Sequence, residues 1–153
     1  MLVNILTAVG TIALNISIQT VFVAVLLRWL ARLEQRRALE MKLRPILLVL
    51  LSATFLLFLG NLIQMAIWAA VFMLVGELVE FRIALYHSMV NFSTLGYGDI
   101  VMSPDRRILG AFEATNGILM LGLTTSTLYA ILRGIMSQAR KRLGALRAYG
   151  EPD

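Results

Sequence analysis

The sequence predicts an all-α integral membrane protein in which three helices span the bilayer and a fourth, shorter helix enters it without crossing. Three observations carry that prediction. Hydrophobic residues make up 59% of the 153-residue chain, against about 45 to 50% apolar residues in an average soluble domain. They gather into three runs, Leu2 to Leu27, Ile46 to Val75 and Ile108 to Ile135, each long enough as a helix to cross about 30 Å of hydrocarbon at about 1.5 Å per residue. Between the second and third runs lies an amphipathic segment, Ile83 to Phe92, too short to cross, and then the glycine-rich stretch Ser93-Thr94-Leu95-Gly96-Tyr97-Gly98-Asp99.

The first run carries Asn4, Thr7, Thr11, Asn15 and Gln19 at steps of three and four, which puts them on one helical face. Polar side chains in hydrocarbon are expected to meet protein, so this face should pack inward; an interfacial position for its upper part is the alternative. Arg28, Arg32 and Arg36 continue the helix out of the membrane, and Arg37, Lys42 and Arg44 complete a basic connector in which Glu34 and Glu40 can pair along the faces. Pro45 opens the second run, where its missing N–H has no helical partner to lose. Gly60, Asn61 and Gln64 interrupt that run and should face other helices, because an unpaired amide in hydrocarbon is costly. Trp68, nearer the outer end, reads either as an interfacial anchor or as packing against the short helix.

Gly76 to Arg82 is a short polar link, and Ile83 to Phe92 suits a re-entrant helix buried in protein. After the glycine-rich stretch, Ile100 to Pro104 is expected to return as a strand to Arg106 and Arg107 at the head of the third run. That run holds Glu113, Asn116, Gly117, Gly122 and the cluster Thr124, Thr125, Ser126 and Thr127, a composition suited to lining water rather than lipid. Arg133, Arg140, Lys141, Arg142 and Arg147 follow as a basic amphipathic tail.

Composition also excludes. Without cysteine there is no disulfide framework, thiolate metal site or thiol nucleophile, and a single histidine argues against zinc. No nucleophile or acid–base constellation is apparent, so the chain is not expected to be an enzyme and no cofactor is implied. The net charge of +5 comes from residues flanking apolar runs, which is a signal of membrane orientation and not of nucleic-acid binding. The N-terminal run lacks the charged start and cleavage site of a signal peptide and reads as a retained anchor. Of the basic residues, only Arg82, Arg106 and Arg107 fall on the side of the glycine-rich loop. The N-terminus is therefore expected outside and the C-terminus in the cytoplasm, as in a multi-pass protein of the cell (plasma) membrane, with lipids as neighbours.

Two glycines one residue apart permit dihedral angles that other residues avoid, so carbonyls in Thr94 to Gly98 can turn to one side instead of alternating. The motif Thr94-Leu95-Gly96-Tyr97-Gly98-Asp99, with its amphipathic lead-in and flanking spans, resembles the selectivity filter of the potassium-channel pore-loop family, of prokaryotic type with an extra N-terminal transmembrane helix. The resemblance covers about Pro45 to Ile135 and is specific over Tyr86 to Asp99. It implies a homotetrameric pore in which carbonyls of Thr94, Leu95, Gly96 and Tyr97, with the Thr94 hydroxyl, coordinate potassium as the permeant ion. Gly98 would complete the turn, and the Tyr97 ring would brace the wall. Asp99 would anchor the outer mouth, supported by Tyr86 and Ser93.

Departures from the family pattern are Leu95 in place of the usual valine, Val90 where one bacterial branch has glutamate, and Tyr86 where others place tryptophan, so a Tyr86 to Asp99 bond is expected as the replacement. His87 reads as an outer pH sensor or, more simply, as filling a hydrogen-bonding niche. Glu113 should either concentrate cations or, the favoured reading, pair with Arg106 or Arg107. Gly117 and Gly122 are placed either as hinges or for close helix packing. The charge-free first run offers no voltage sensor, so a gate is expected at the filter or near Tyr129 on the inner helix. The domains are then residues 1–44, an N-terminal helix and connector; 45–137, a pore domain with outer helix 45–76, pore helix 83–93, filter 94–99 and inner helix 107–137; and 138–153, the tail. Competing readings are a poorly selective cation channel and a non-conducting membrane assembly subunit.

Overall fold

The computed structural model describes residues 1–35 and 43–149 of the chain. Four helices follow one another: α1 (Leu2–Gln35), α2 (Leu43–Leu74), α3 (Phe81–Phe92) and α4 (Arg107–Tyr149). α1, α2 and α4 are long and apolar enough to cross a membrane, whereas α3 has only 12 residues. Arg36, Arg37, Glu40 and Lys42 of the basic connector lie outside the described residues, as does the chain from 150 onward.

Two boundaries differ from the expectation. α4 runs unbroken past residue 137 to Tyr149, so the described part of the tail continues the inner helix. Its residues there are mostly Ala, Leu, Arg, Lys and Gln, all strong helix formers, and no proline interrupts them. The expected return strand is absent: no strand occurs among the described residues, and 100–103 is irregular before a turn at 104–106. A lone strand has no ladder to pair its backbone. Glu77 substitutes for one, its carboxylate accepting from the Ser103 N–H at 2.5 Å and the Ser103 hydroxyl at 2.8 Å.

α2 ends in a glycine cap. Gly76 has φ +74°, the Gly76 N–H donates to the Met73 carbonyl, and the Glu77 N–H donates to that of Phe72, both at 3.0 Å. This Schellman pairing satisfies carbonyls that the helix leaves free and turns the chain toward α3. It also sets Glu77 where it can reach Ser103.

Inside the bilayer the three long helices are joined by amides. Gln64 of α2 donates to the Gln19 side-chain oxygen at 2.7 Å. Gln19 of α1 and Asn61 of α2 both donate to the Thr124 hydroxyl of α4, at 3.1 and 3.2 Å. Asn4, Thr11, Asn15 and Gln19 are all buried, so the polar face of α1 packs inward, with Thr7 at its margin. At the end nearest the α2–α3 turn Asn4 donates to the Asp105 carbonyl, and Arg106 donates to the Asn4 side-chain oxygen and to the Val75 carbonyl. These contacts tie α1, α2 and the head of α4 together. Apolar packing fills the space between: Trp68, Phe72, Phe92, Leu109 and Met120 form an upper core around α3, and Leu26, Val49, Ala53, Leu57 and Ile131 a lower one. Trp68 is fully buried and stacks at a tilt on Phe72, centroids 5.9 Å apart, which makes it a packing residue and not an interfacial anchor.

The two inner-helix glycines separate here. A Cβ at Gly117 would overlap the Phe92 carbonyl at the end of α3, whereas one at Gly122 would meet nothing within 4 Å in the chain. Gly117 is therefore a close-packing position. Because the obstacle is backbone and cannot rotate away, Gly117→Ala is expected to destabilise the protein by about 3 kcal/mol, the upper part of the usual overpacking range. Thermal unfolding in detergent checks this, with Gly122→Ala expected to stay near the wild-type midpoint.

Candidate functional site

The glycine-rich loop hangs from the C-terminus of α3. Ser93 caps that helix, its hydroxyl donating back to the Met89 carbonyl at 2.7 Å and that of Val90 at 3.2 Å. The next amides turn back as well. Thr94 N–H donates to the Asn91 carbonyl at 2.9 Å, and Leu95 and Gly96 N–H donate to that of Val90 at 2.9 and 3.4 Å. Every peptide bond among the described residues is trans, and in a trans peptide the C=O points opposite to the N–H of the next residue. The carbonyls of Ser93, Thr94 and Leu95 therefore point away from the end of α3.

Backbone handedness alternates along the loop. Thr94, Gly96 and Gly98 have φ of +60°, +59° and +76°, while the residues between them do not have positive φ. Glycine accepts that conformation freely, but a β-branched threonine does not, and such strain costs about 1 to 3 kcal/mol. Thr94 holds it because three successive amides are fixed to α3. The C-terminal end of α3 carries partial negative charge from its aligned peptides, which favours a cation nearby.

At the far side of the loop the Tyr86 hydroxyl donates to Asp99 Oδ2 at 2.6 Å, and the Ile100 N–H donates to Asp99 Oδ1 at 3.1 Å. The first of these is the bond expected from the sequence. The Tyr86 hydrogen bond holds the Asp99 carboxyl below the usual carboxylate range, and the same bond raises Tyr86 above the usual phenol range. From Thr94 to Asp99 every residue is exposed, with Tyr97 at 67%. The loop thus faces outward from its own chain.

Other candidates fall elsewhere. His87 is buried edge-on against Phe72, centroids 5.4 Å apart, and burial pushes its imidazole below the usual histidine range, which argues against an outer pH sensor. Its Nε2 has no hydrogen-bond partner among the described residues, while the Ile100 backbone supplies the ring with one hydrogen bond. Glu113 does not pair with Arg106 or Arg107. It lies fully buried against α3, where Ser88 Oγ is 2.5 Å from Oε1 and Asn91 Nδ2 is 2.7 Å from Oε2. The reason is position: Glu113 sits more than a turn below both arginines, and Arg106 is occupied by Asn4 and Val75. Tyr129, 66% exposed on lower α4, is far down the helix from the loop. Sequence reasoning missed Ser88, Asn91 and Glu77. The available signal was their polarity in apolar surroundings, with Ser88 and Asn91 three apart on one face of α3.

No curated protein and no solved structure matches the chain. A family model described as an ion channel matches residues 46–133. The match begins in the first turn of α2, takes in α3 and the loop, and ends in lower α4; α1 lies outside it. A helix, a half-entering helix, an outward-facing irregular loop and a second spanning helix are what such a domain needs, and by this match over more than half its length the chain belongs to the ion channel family as a multi-pass membrane protein.

Proposed function

We propose that four copies of this chain form a potassium-selective channel of the plasma membrane, with the loop Thr94 to Gly98 as its filter. The observation that carries the reading is the direction of the loop's peptides: the amides of Thr94, Leu95 and Gly96 are consumed by α3, which leaves carbonyls turned the other way. Carbonyls of Thr94, Leu95, Gly96 and Tyr97, with the Thr94 hydroxyl, replace the hydration shell of potassium, and Gly98 closes the turn. One chain supplies one loop, and a coordinating ring needs several; fourfold cyclic symmetry closes it with a single interface type. The exposed Tyr97 ring then finds its wall in the neighbouring copy. Arg28, Arg32, Arg133 and Arg140 gather at the end of the spans away from the loop, a charge bias that supports a cytoplasmic position for that end and an outer one for the loop and the N-terminus. The gate falls on lower α4, near Tyr129, or at the filter.

Liposomes holding the purified protein are expected to pass potassium in strong preference to sodium. Gly96→Ala should abolish that selective flux. No atom lies within 4 Å of a Cβ there, so the obstacle is the backbone at φ +59°, which costs an L-residue about 1 to 2 kcal/mol in each copy. Unchanged selectivity in this variant would sink the assignment.

The Tyr86–Asp99 bond predicts a pH signature. Because the Asp99 pKa is lowered, its contribution is present above the ordinary carboxylate pKa and is lost only as pH falls through the lowered value. The Tyr86 pKa is raised, so its contribution is full below the ordinary phenol pKa and lost only above the raised one. The bond therefore persists across the neutral range. In Tyr86→Phe, Asp99 should protonate nearer the unperturbed value of about 3.9, moving acid inhibition from the outer side to higher pH. Currents recorded during an outer-side acid titration test this, and coincident titrations for both proteins would contradict it.

A further inference from the structure

We propose that Glu113 is a positioning residue for the filter, acting as a neutral acid that donates to Ser88 and accepts from Asn91; this rests on the loop being a potassium filter. The argument begins with hydrogens. Ser88 Oγ lies 2.7 Å from the Met65 carbonyl and 2.5 Å from Glu113 Oε1. A hydroxyl carries one hydrogen, and a carbonyl can only accept. If Ser88 donates to Met65, the hydrogen in its contact with Glu113 comes from the Glu113 carboxyl, and the Ser88 lone pair receives it.

Asn91 completes the account. Its amide nitrogen carries two hydrogens and has two acceptors in reach, Glu113 Oε2 at 2.7 Å and the Gly110 carbonyl at 2.8 Å. Every hydrogen then has one acceptor. An ionised Glu113 would leave two acceptors sharing the Ser88 hydrogen and bury a charge with no cation, for among the described residues no salt bridge includes it. Neutral acid satisfies both the geometry and the burial.

The clamp acts where the loop is held. Ser88 joins α3 to α2 through Met65, and Glu113 with Asn91 joins α3 to α4. Asn91 also accepts from the Thr94 N–H, and its neighbour Val90 accepts from Leu95 and Gly96. Glu113 therefore fixes the turn of α3 whose carbonyls orient the filter amides, without itself touching the ion.

Glu113→Gln and Glu113→Leu separate the roles. The glutamine amide can donate to Ser88 while its oxygen accepts from Asn91, so Glu113→Gln is expected to keep the wild-type potassium-to-sodium permeability ratio. In Glu113→Leu, Ser88 retains Met65 and Asn91 retains Gly110 for one amide hydrogen, leaving only its second hydrogen without an acceptor, but the clamp is gone. The permeability ratio should fall about tenfold, the scale of one lost buried hydrogen bond, with unchanged elution of the assembled protein. Reversal potentials with potassium on one side and sodium on the other read the ratio. Should Glu113→Leu fail to assemble, Ser88→Ala, which removes the acceptor for the acid, is measured for the same fall. A wild-type ratio in whichever of these two variants assembles overturns the clamp. A Glu113→Gln protein as impaired as the one lacking the clamp overturns the neutral acid, because a carboxylate accepting from both Ser88 and Asn91 has no glutamine equivalent. Wild-type protein without potassium preference would sink the filter reading instead, and it is measured first.

Discussion

Irregular backbone is tolerated at membrane depth only where protein supplies its hydrogen bonds, and in this chain that supply is the C-terminal turn of α3. Val90 and Asn91 lend their carbonyls to three successive loop amides. The arrangement resolves two problems together, since a helix end leaves carbonyls unpaired and a loop leaves amides unpaired. The conformation of Thr94 and the direction of its carbonyl both follow. Almost everything else packed around α3 serves to keep that turn in place: Gly117 admits the Phe92 backbone, Ser88 reaches Met65, and Glu77 holds the returning chain at Ser103.

α1 lies outside the matched channel domain, yet it is attached to that domain more by hydrogen bonds than its composition suggests. Lipid tails are as apolar as leucine, so apolar contact gives little preference for one helix neighbour over another in a bilayer. Amides do give one. The bonds among Gln19, Gln64, Asn61 and Thr124 form only in one relative height and rotation of α1, α2 and α4. The contact of Asn4 with Arg106 repeats the same register at the end nearest the α2–α3 turn.

The spans, the inward polar face of α1 and the Tyr86–Asp99 pair were legible in the sequence because each depends on local spacing or on a short motif. Glu113 was not. Its sequence neighbours Arg106 and Arg107 offered an obvious ionic partner, and nothing local says that α3 covers the Glu113 face of α4. Gly117 and Gly122 look alike in the chain and differ only in what lies across from them. The return segment failed for a related reason: an extended-looking run is a strand only if another strand pairs with it, and here a carboxylate does so instead.

The unbroken course of α4 also bears on mechanics. Its 43 residues make a rod of about 65 Å at about 1.5 Å per residue, more than twice the thickness of the hydrocarbon core. One end is pinned beside the loop by Arg106, the middle by Thr124 and the stretch below it by Ile131 in the lower core, so sideways displacement of the helix beyond that core becomes a bending moment concentrated just past it. A load applied to α4 beyond the bilayer is thereby carried into it by a single stiff beam, with the packing of α1 and α2 against its lower half as the fulcrum.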